Sequence, residues 1–322
     1  MTFHHEVKIL LGVSPLKEDK SLSSDIPYEF LRYEHRLEQT QNEIGKNGIL
    51  KLKLEEDAQI KKTVIRERYS RVPLFSQRAL YLEESIPSMA YIYIMTQSGG
   101  VLQKDRYVID ISLSNNAYAH ITTQGATRIY KMEKGYAMQS IDLNIEEGCY
   151  CEYIPDEIIP YSKSRFYQES KLRVHKNATL IYSEIIVPGR VARGELFEFD
   201  ICYLRTLATN NMNELRFLDT LKLAPKETGF GAIGIMENFT ILASVYILAN
   251  VDHSKNLKDD INSLVKNMGN IYGGATLLPE KQGVFIRILG NTTENVKEAI
   301  YGIANMCRKK ILGGTFSKLR KA

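Results

Sequence analysis

Apolar and polar residues alternate with period two along most of this chain, and the stretch from Tyr91 to Tyr130 shows the pattern most plainly. An apolar run at 91–95 is broken by Ser98-Gly99-Gly100, where glycine tolerates close backbone approach. Tyr107, Ile109, Ile111 and Leu113 then share one face of a ribbon, with Arg106, Asp110 and Ser112 opposite. Asn115-Asn116 marks a turn, after which Ala117, Ala119 and Ile121 face one way and Tyr118, His120 and Thr122 the other. Three strands joined by two turns follow from this pattern.

The same reading extends in both directions. Leu50, Leu52 and Leu54 alternate with Lys51 and Lys53 after the turn signal Gly45-Lys46-Asn47-Gly48. Ile141, Leu143 and Ile145, the Glu147-Gly148 turn and the run Cys149 to Ile154 predict a hairpin. A strand over 180–187 and an alternation from Phe197 to Tyr203 continue the series. Strands recurring this often favour an all-β-dominated fold of antiparallel sheets, whether a sandwich, a barrel or a coiled sheet stack, over βαβ units. No internal sequence repeat marks a solenoid.

Only the last third has helical spacing. Leu257, Ile261, Leu264, Val265 and Met268 predict a helix over 254–268 with Ser254 as N-cap. Val296, Ala299, Ile300, Ile303, Ala304 and Cys307 form the buried stripe of a second helix over 292–312, opened by Asn291 and Glu294 and stopped by Gly313-Gly314. A hairpin of 275–278 and 284–289 lies between them, so 254–322 reads as a small α+β cap within one body from 45 to 322. Residues 1–44 form an N-terminal extension with one helix expected in 28–42.

Composition narrows the function classes. Of 322 residues, 44% are apolar and 25% charged, which fits a folded chain with a sizeable core. A net charge of +4 spread over this length does not predict nucleic-acid binding. The most apolar window, 239–249, is about half the roughly twenty residues a membrane helix needs and reads as a buried strand. The N-terminus lacks the pattern of a secretory signal, and four cysteines make no disulfide framework, so a reducing, cytoplasmic setting is expected.

Signatures of catalysis are missing: there is no GxSxG elbow, P-loop, HExxH or dinucleotide fingerprint. Cys149 and Cys151 share a strand face, a spacing soft metals can use, but with Tyr153 following them they read better as packed core thiols. His120 and His175 stand alone, and His4-His5 sit near the terminus. Between Pro155 and Pro160, Asp156 and Glu157 present adjacent carboxylates in a stiffened loop, or simply a solvated crossover. Glu184 lies mid-strand among apolar neighbours and needs either an edge or a buried partner. Carboxylates lining an interior passage would attract a divalent cation.

Ser98-Gly99-Gly100 with Asp105-Arg106, the run Thr122 to Tyr130, Tyr153-Ile154-Pro155-Asp156 to Pro160, Ser164-Arg165-Phe166, Pro188-Gly189-Arg190 and the Gly273 to Pro279 run together resemble the urease accessory protein family UreD, also called UreH. The resemblance covers about Gly45 to the end. It implies a non-enzymatic, β-rich scaffold whose sheets stack in a β-helix-like coil, without a cofactor of its own, which joins UreF and the GTPase UreG on apo-urease and lets nickel pass to the active site through an internal tunnel. On that reading Asp156 and Glu184 line or gate the nickel passage. Gly99, Gly100, Thr123, Gln124 and Tyr130 shape the sheet around it, and Asp105 and Thr127 belong to the matching motifs. Arg165 and Arg190 either hold partners or brace loops. Two departures stand out: Lys104 replaces a family glycine before Asp105, and residues 1–44 exceed the shorter family start.

An alternative is an all-β carbohydrate-active enzyme with Asp156, Glu157 and Glu184 as its carboxylates, weakened by the absence of tryptophan. A nickel store built on Cys149, Cys151 and histidines has too few clustered ligands.

Overall fold

The computed structural model describes residues 26–34, 45–227 and 236–316. After helix α1 (Tyr28–Glu34) come strands β1 (Asn47–Asp57), β2 (Lys62–Arg71), β3 (Leu74–Ser76), β4 (Ala90–Thr96), β5 (Arg106–Ser114), β6 (Tyr118–Thr123) and β7 (Thr127–Ile129). Strands β8 (Ala137–Ile145), β9 (Tyr150–Tyr153), β10 (Ile158–Pro160), β11 (Arg165–Val174), β12 (Thr179–Ile186), β13 (Ile201–Thr209) and β14 (Leu215–Leu223) follow. The carboxyl third holds β15 (Ile241–Leu248), α2 (Val251–Asn267), β16 (Ile271–Leu277), β17 (Gly283–Gly290) and α3 (Thr293–Cys307).

Two sheets face each other. One has the order β14-β13-β11-β8-β5-β1-β2, the other β16-β17-β15-β12-β9-β6-β4-β3, with short β7 and β10 to the side. The chain crosses from one sheet to the other at each turn: β5, β8 and β11 lie in the first, β6, β9 and β12 in the second. Each circuit therefore stacks on the previous one in parallel, with Arg106 beside Met138, Ala137 beside Phe166, Tyr118 beside Tyr150, Tyr150 beside Thr179, and Thr127 beside Ile158. The result is a coil of strands, as expected, but its central pairing is parallel. Antiparallel pairs are confined to the flanks: β1 with β2, β3 with β4, β13 with β14, β15 with both β12 and β17, and β16 with β17.

The expected hairpin of 141–154 is accordingly a crossover: β8 and β9 sit in opposite sheets. A strand-turn-strand pattern has the same apolar alternation whether the chain pairs with itself or crosses the core, so sequence could not separate the two. The crossover turns reveal the repeat that residue identity hides. Ala117 N donates to Ser114 O, Cys149 N to Glu146 O and Ala178 N to His175 O, at 3.2, 3.2 and 3.0 Å. Asn115 and Asn116 hold positive φ in the first of these turns, and a Cβ on Gly148 in the next would come within 2.1 Å of Asn116 Oδ1. Glycine is what lets these turns stack.

The main core fills the space between the sheets with Leu50, Leu52, Leu54, Ile109, Ile111 and Leu113, together with Ala119, Ile121, Ile141, Leu143 and Ile145. A second core lies between the outer face of the second sheet and the helices, where Ile181, Ile185, Val245 and Ile247 meet Ile261, Val296, Ile300 and Ile303. Covered on both faces, β12 and β15 are buried at every residue, which is why 239–249 reads as an apolar run rather than an alternation. The stripe predicted for α3 is buried at all six positions, each Val or Ile contributing roughly 1.5–3 kcal/mol.

Element ends differ from the sequence reading in three places. Helix α2 begins at Val251; Asn250 Oδ1 accepts from His253 N, while Ser254 lies inside and its hydroxyl donates back to Asn250 O. For α3 the cap is Thr292, whose Oγ1 accepts from Asn295 N, and Asn291 instead accepts from Thr240 N. Phe197 takes positive φ, so the strand expected from 197 begins at Ile201. In the extension, α1 occupies the first part of the expected helix and presses Phe30 fully out of water against Tyr136, Tyr167 and Ile201 on the outside of the first sheet; the remainder of 28–42 lies outside the described residues.

Candidate functional site

Between the sheets lies a cavity of about 350 Å³. Gly99, Gly100, Thr123, Gln124, Thr127, Asp156 and Glu184 all line it, so seven of the residues singled out in the sequence share one site. Glycine is required at 100 because a Cβ would stand 2.7 Å from Arg128 O and 2.8 Å from the Tyr130 ring. Tyr130 braces this loop from outside the cavity, its hydroxyl donating to Gly99 O at 3.1 Å.

Glu184 points inward because β12 presents Leu180, Tyr182 and Ile186 to the main core, and 184 shares their parity. It is 4% exposed. Its Oε1 accepts from Gln168 Nε2 and from Tyr182 OH, both at 2.8 Å. Gln139 Nε2 donates to Gln168 Oε1 at 3.1 Å, and Ser170 Oγ lies 2.7 Å from Tyr182 OH. Burial pushes the Glu184 carboxyl up to about 7, outweighing those two donors. A carboxyl that titrates near neutrality while facing a cavity marks the place as a candidate functional site.

Asp156 also lines the cavity and is 5% exposed. Its backbone N donates to Thr123 Oγ1 at 2.8 Å, and its Oδ1 lies 2.7 Å from Lys297 Nζ on α3. Neither Lys297 nor the Gln139–Gln168–Tyr182 chain was singled out in the sequence; a polar residue on an otherwise apolar core face of a strand, as at Gln139 and Glu184, is the signal that marks the chain, while Lys297 on α3 carries none.

The remaining motif residues brace the scaffold. Asp105 is buried and accepts from Lys46 N, Leu102 N and Tyr107 OH at 2.8, 2.9 and 3.0 Å. Lys104 holds φ +64°, so the turn survives without the family glycine. Arg165 donates to Asp200 and to Gly135 O and stacks on Tyr33, tying α1 to the coil. Arg190 grips Glu195 and lies over the Tyr161 ring.

A second polar cluster lies beneath the helices. Arg308, fully buried, donates to both Glu152 oxygens at 2.7 and 2.6 Å, to Tyr91 OH at 2.8 Å and to Glu83 at 3.2 Å. His120 Nδ1 lies 2.6 Å from Glu152 Oε2. Burial pushes the Glu152 carboxyl up, but the bonds from His120 and Arg308 outweigh it and hold the group at about 2. His120, which looked solitary, thus belongs to an anchor for the end of α3, and Arg308 continues the buried i+4 line of Ile300 and Ala304.

All four cysteines are buried and unbridged. Burial pushes the Cys149 thiol up to about 11, which disfavours the thiolate that would bind metal. Among the described residues no group of three or more His, Cys, Asp or Glu is placed to hold a metal ion. No helix among them is long and apolar enough to cross a membrane.

Two coiled sheets around a cavity of mixed lining, with Asp156 and Glu184 on its wall, place the chain in a class of coiled β proteins. The profile of the family described as UreD urease accessory protein matches residues 46–321. The urease accessory protein UreD of Cenarchaeum symbiosum is 37% identical over 277 residues, covering 86% of this chain and 96% of that protein. That of Photorhabdus laumondii is 34% identical over 275 residues, 85% of each, and UreD 2 of Brucella suis is 33% identical over 273 residues, 84% of this chain and 90% of its own length. The chain belongs to the UreD family of urease accessory proteins, which are assembly factors and not enzymes.

Proposed function

We propose that this chain is a cytoplasmic urease maturation scaffold that binds apo-urease, UreF and UreG and conducts nickel through the cavity between its sheets. The chain needs no cofactor of its own; nickel is cargo. The observation carrying this reading is Glu184, a carboxyl at about 7 facing a 350 Å³ cavity that also holds Asp156. Two separated carboxylates are too few to trap a divalent ion, and a passage needs binding strong enough to admit the ion and weak enough to release it. Protonation of Glu184 would lower its hold further. The partner set follows from the family resemblance, and the names of the relatives support the urease role.

The test is co-expression of the tagged chain with apo-urease, UreF and UreG. Capture of these partners with chain-dependent activation by nickel is expected; no capture and activation indifferent to the chain would contradict the reading.

A further inference from the structure

Asp156 borders two cavities. A second, outer cavity of about 620 Å³ lies along α3, lined by Glu157, Glu294, Lys297, Glu298 and Tyr301, and Asp156 is the residue common to the two. Lys297 stands at that junction. Its Nζ is 2.7 Å from Asp156 Oδ1 and 2.7 Å from Glu157 Oε2. The position where an arriving cation would first meet a buried carboxylate is thus already filled by a tethered ammonium.

We propose that Lys297 is an electrostatic gate between an outer acidic vestibule and the inner cavity, and that a divalent cation enters by displacing its ammonium from Asp156 and Glu157. This rests on the passage reading above. The gate works by charge. With Lys297 in place the two carboxylates are largely neutralised, and a second cation nearby is repelled. With Lys297 withdrawn both carboxylates face the cation at once. Lysine suits the task because its charge sits on a flexible four-carbon stem rather than a rigid fork. Glu294, three residues earlier on the same helix and exposed, offers the ammonium a second resting place. Bonds from both carboxylates outweigh burial and hold the ammonium charged, so it leaves by moving and not by losing its proton.

The test measures binding of nickel ion alone to the purified full chain by equilibrium dialysis, and its uptake rate by rapid mixing. Lys297→Gln should bind at least roughly tenfold tighter than the parent. Adding Asp156→Asn should abolish that gain, which separates it from binding at His4-His5. Lys297→Arg keeps the charge and grips both carboxylates more firmly, so uptake should slow several-fold. This second variant decides the matter if Lys297→Gln does not fold. Parent-like affinity in folded Lys297→Gln, or parent-like uptake in Lys297→Arg, overturns the gate. Glu184→Gln separates the two levels. If it weakens nickel binding while the Lys297 variants change nothing, only the gate falls; if it too binds like the parent, the passage falls with it.

Discussion

Gln168 and Glu184 stand on facing sheets and meet across the interior of the coil, Nε2 to Oε1 at 2.8 Å. That bond keeps the carboxyl directed at the cavity but does not supply a countercharge. The folded-state pKa of about 7 lies above the ordinary carboxyl value of 4.5, so the folded protein holds a proton that the unfolded chain has lost. Stability should therefore fall as pH rises from about 4.5 to 7, by on the order of 3 kcal/mol in total. Glu184→Gln should flatten this slope in chemical denaturation across that range and be the more stable protein at pH 8.

Arg308 and Glu152 form the opposite case. The depressed folded pKa of Glu152, about 2, contributes stability that is present above the ordinary carboxyl pKa and lost as pH falls toward 2. Arg308→Ala leaves Glu152 buried without its main partner and should cost about 3–5 kcal/mol. Adding Glu152→Leu should recover part of that loss, a coupling that a double-mutant cycle in urea reads directly.

Lys104 holds a left-handed backbone, φ +64°, that a side chain makes costly. Lys104→Gly should stabilise the chain by about 1 kcal/mol, visible as a small rise in Tm, with the Asp105 bonds to Lys46 N and Leu102 N unchanged.

Gly100 has no room for a methyl group between Arg128 O and the Tyr130 ring. Gly100→Ala should destabilise the fold by roughly 1–3 kcal/mol, measured by thermal unfolding.

Much of this architecture was legible before the structure. The inward parity of Tyr107, Ile109, Ile111 and Leu113 and the α3 stripe from Val296 to Cys307 are set by side-chain periodicity alone, and both are buried as read. Pairing direction was not legible, because Asn115-Asn116 and Glu147-Gly148 could equally close a hairpin or turn the chain to the opposite sheet. At the site, the motifs supplied Gly100, Thr123 and Asp156, and Glu184 stood out as a carboxylate set mid-strand among apolar neighbours. Lys297 lies 141 residues from Asp156 in the chain, and Arg308 lies 156 from Glu152. Partners that distant leave no local pattern, and an isolated lysine on an amphipathic helix reads as part of the solvated face.

The measurement that bears most directly on the passage is urease activation by Glu184→Leu, co-expressed with UreF, UreG and apo-urease in nickel medium, with partner capture measured on the same sample. Leucine keeps the position filled and removes the carboxyl. Intact capture with activation near the level seen without the chain is the predicted result. Normal activation by a variant that still captures its partners would contradict a nickel route past Glu184.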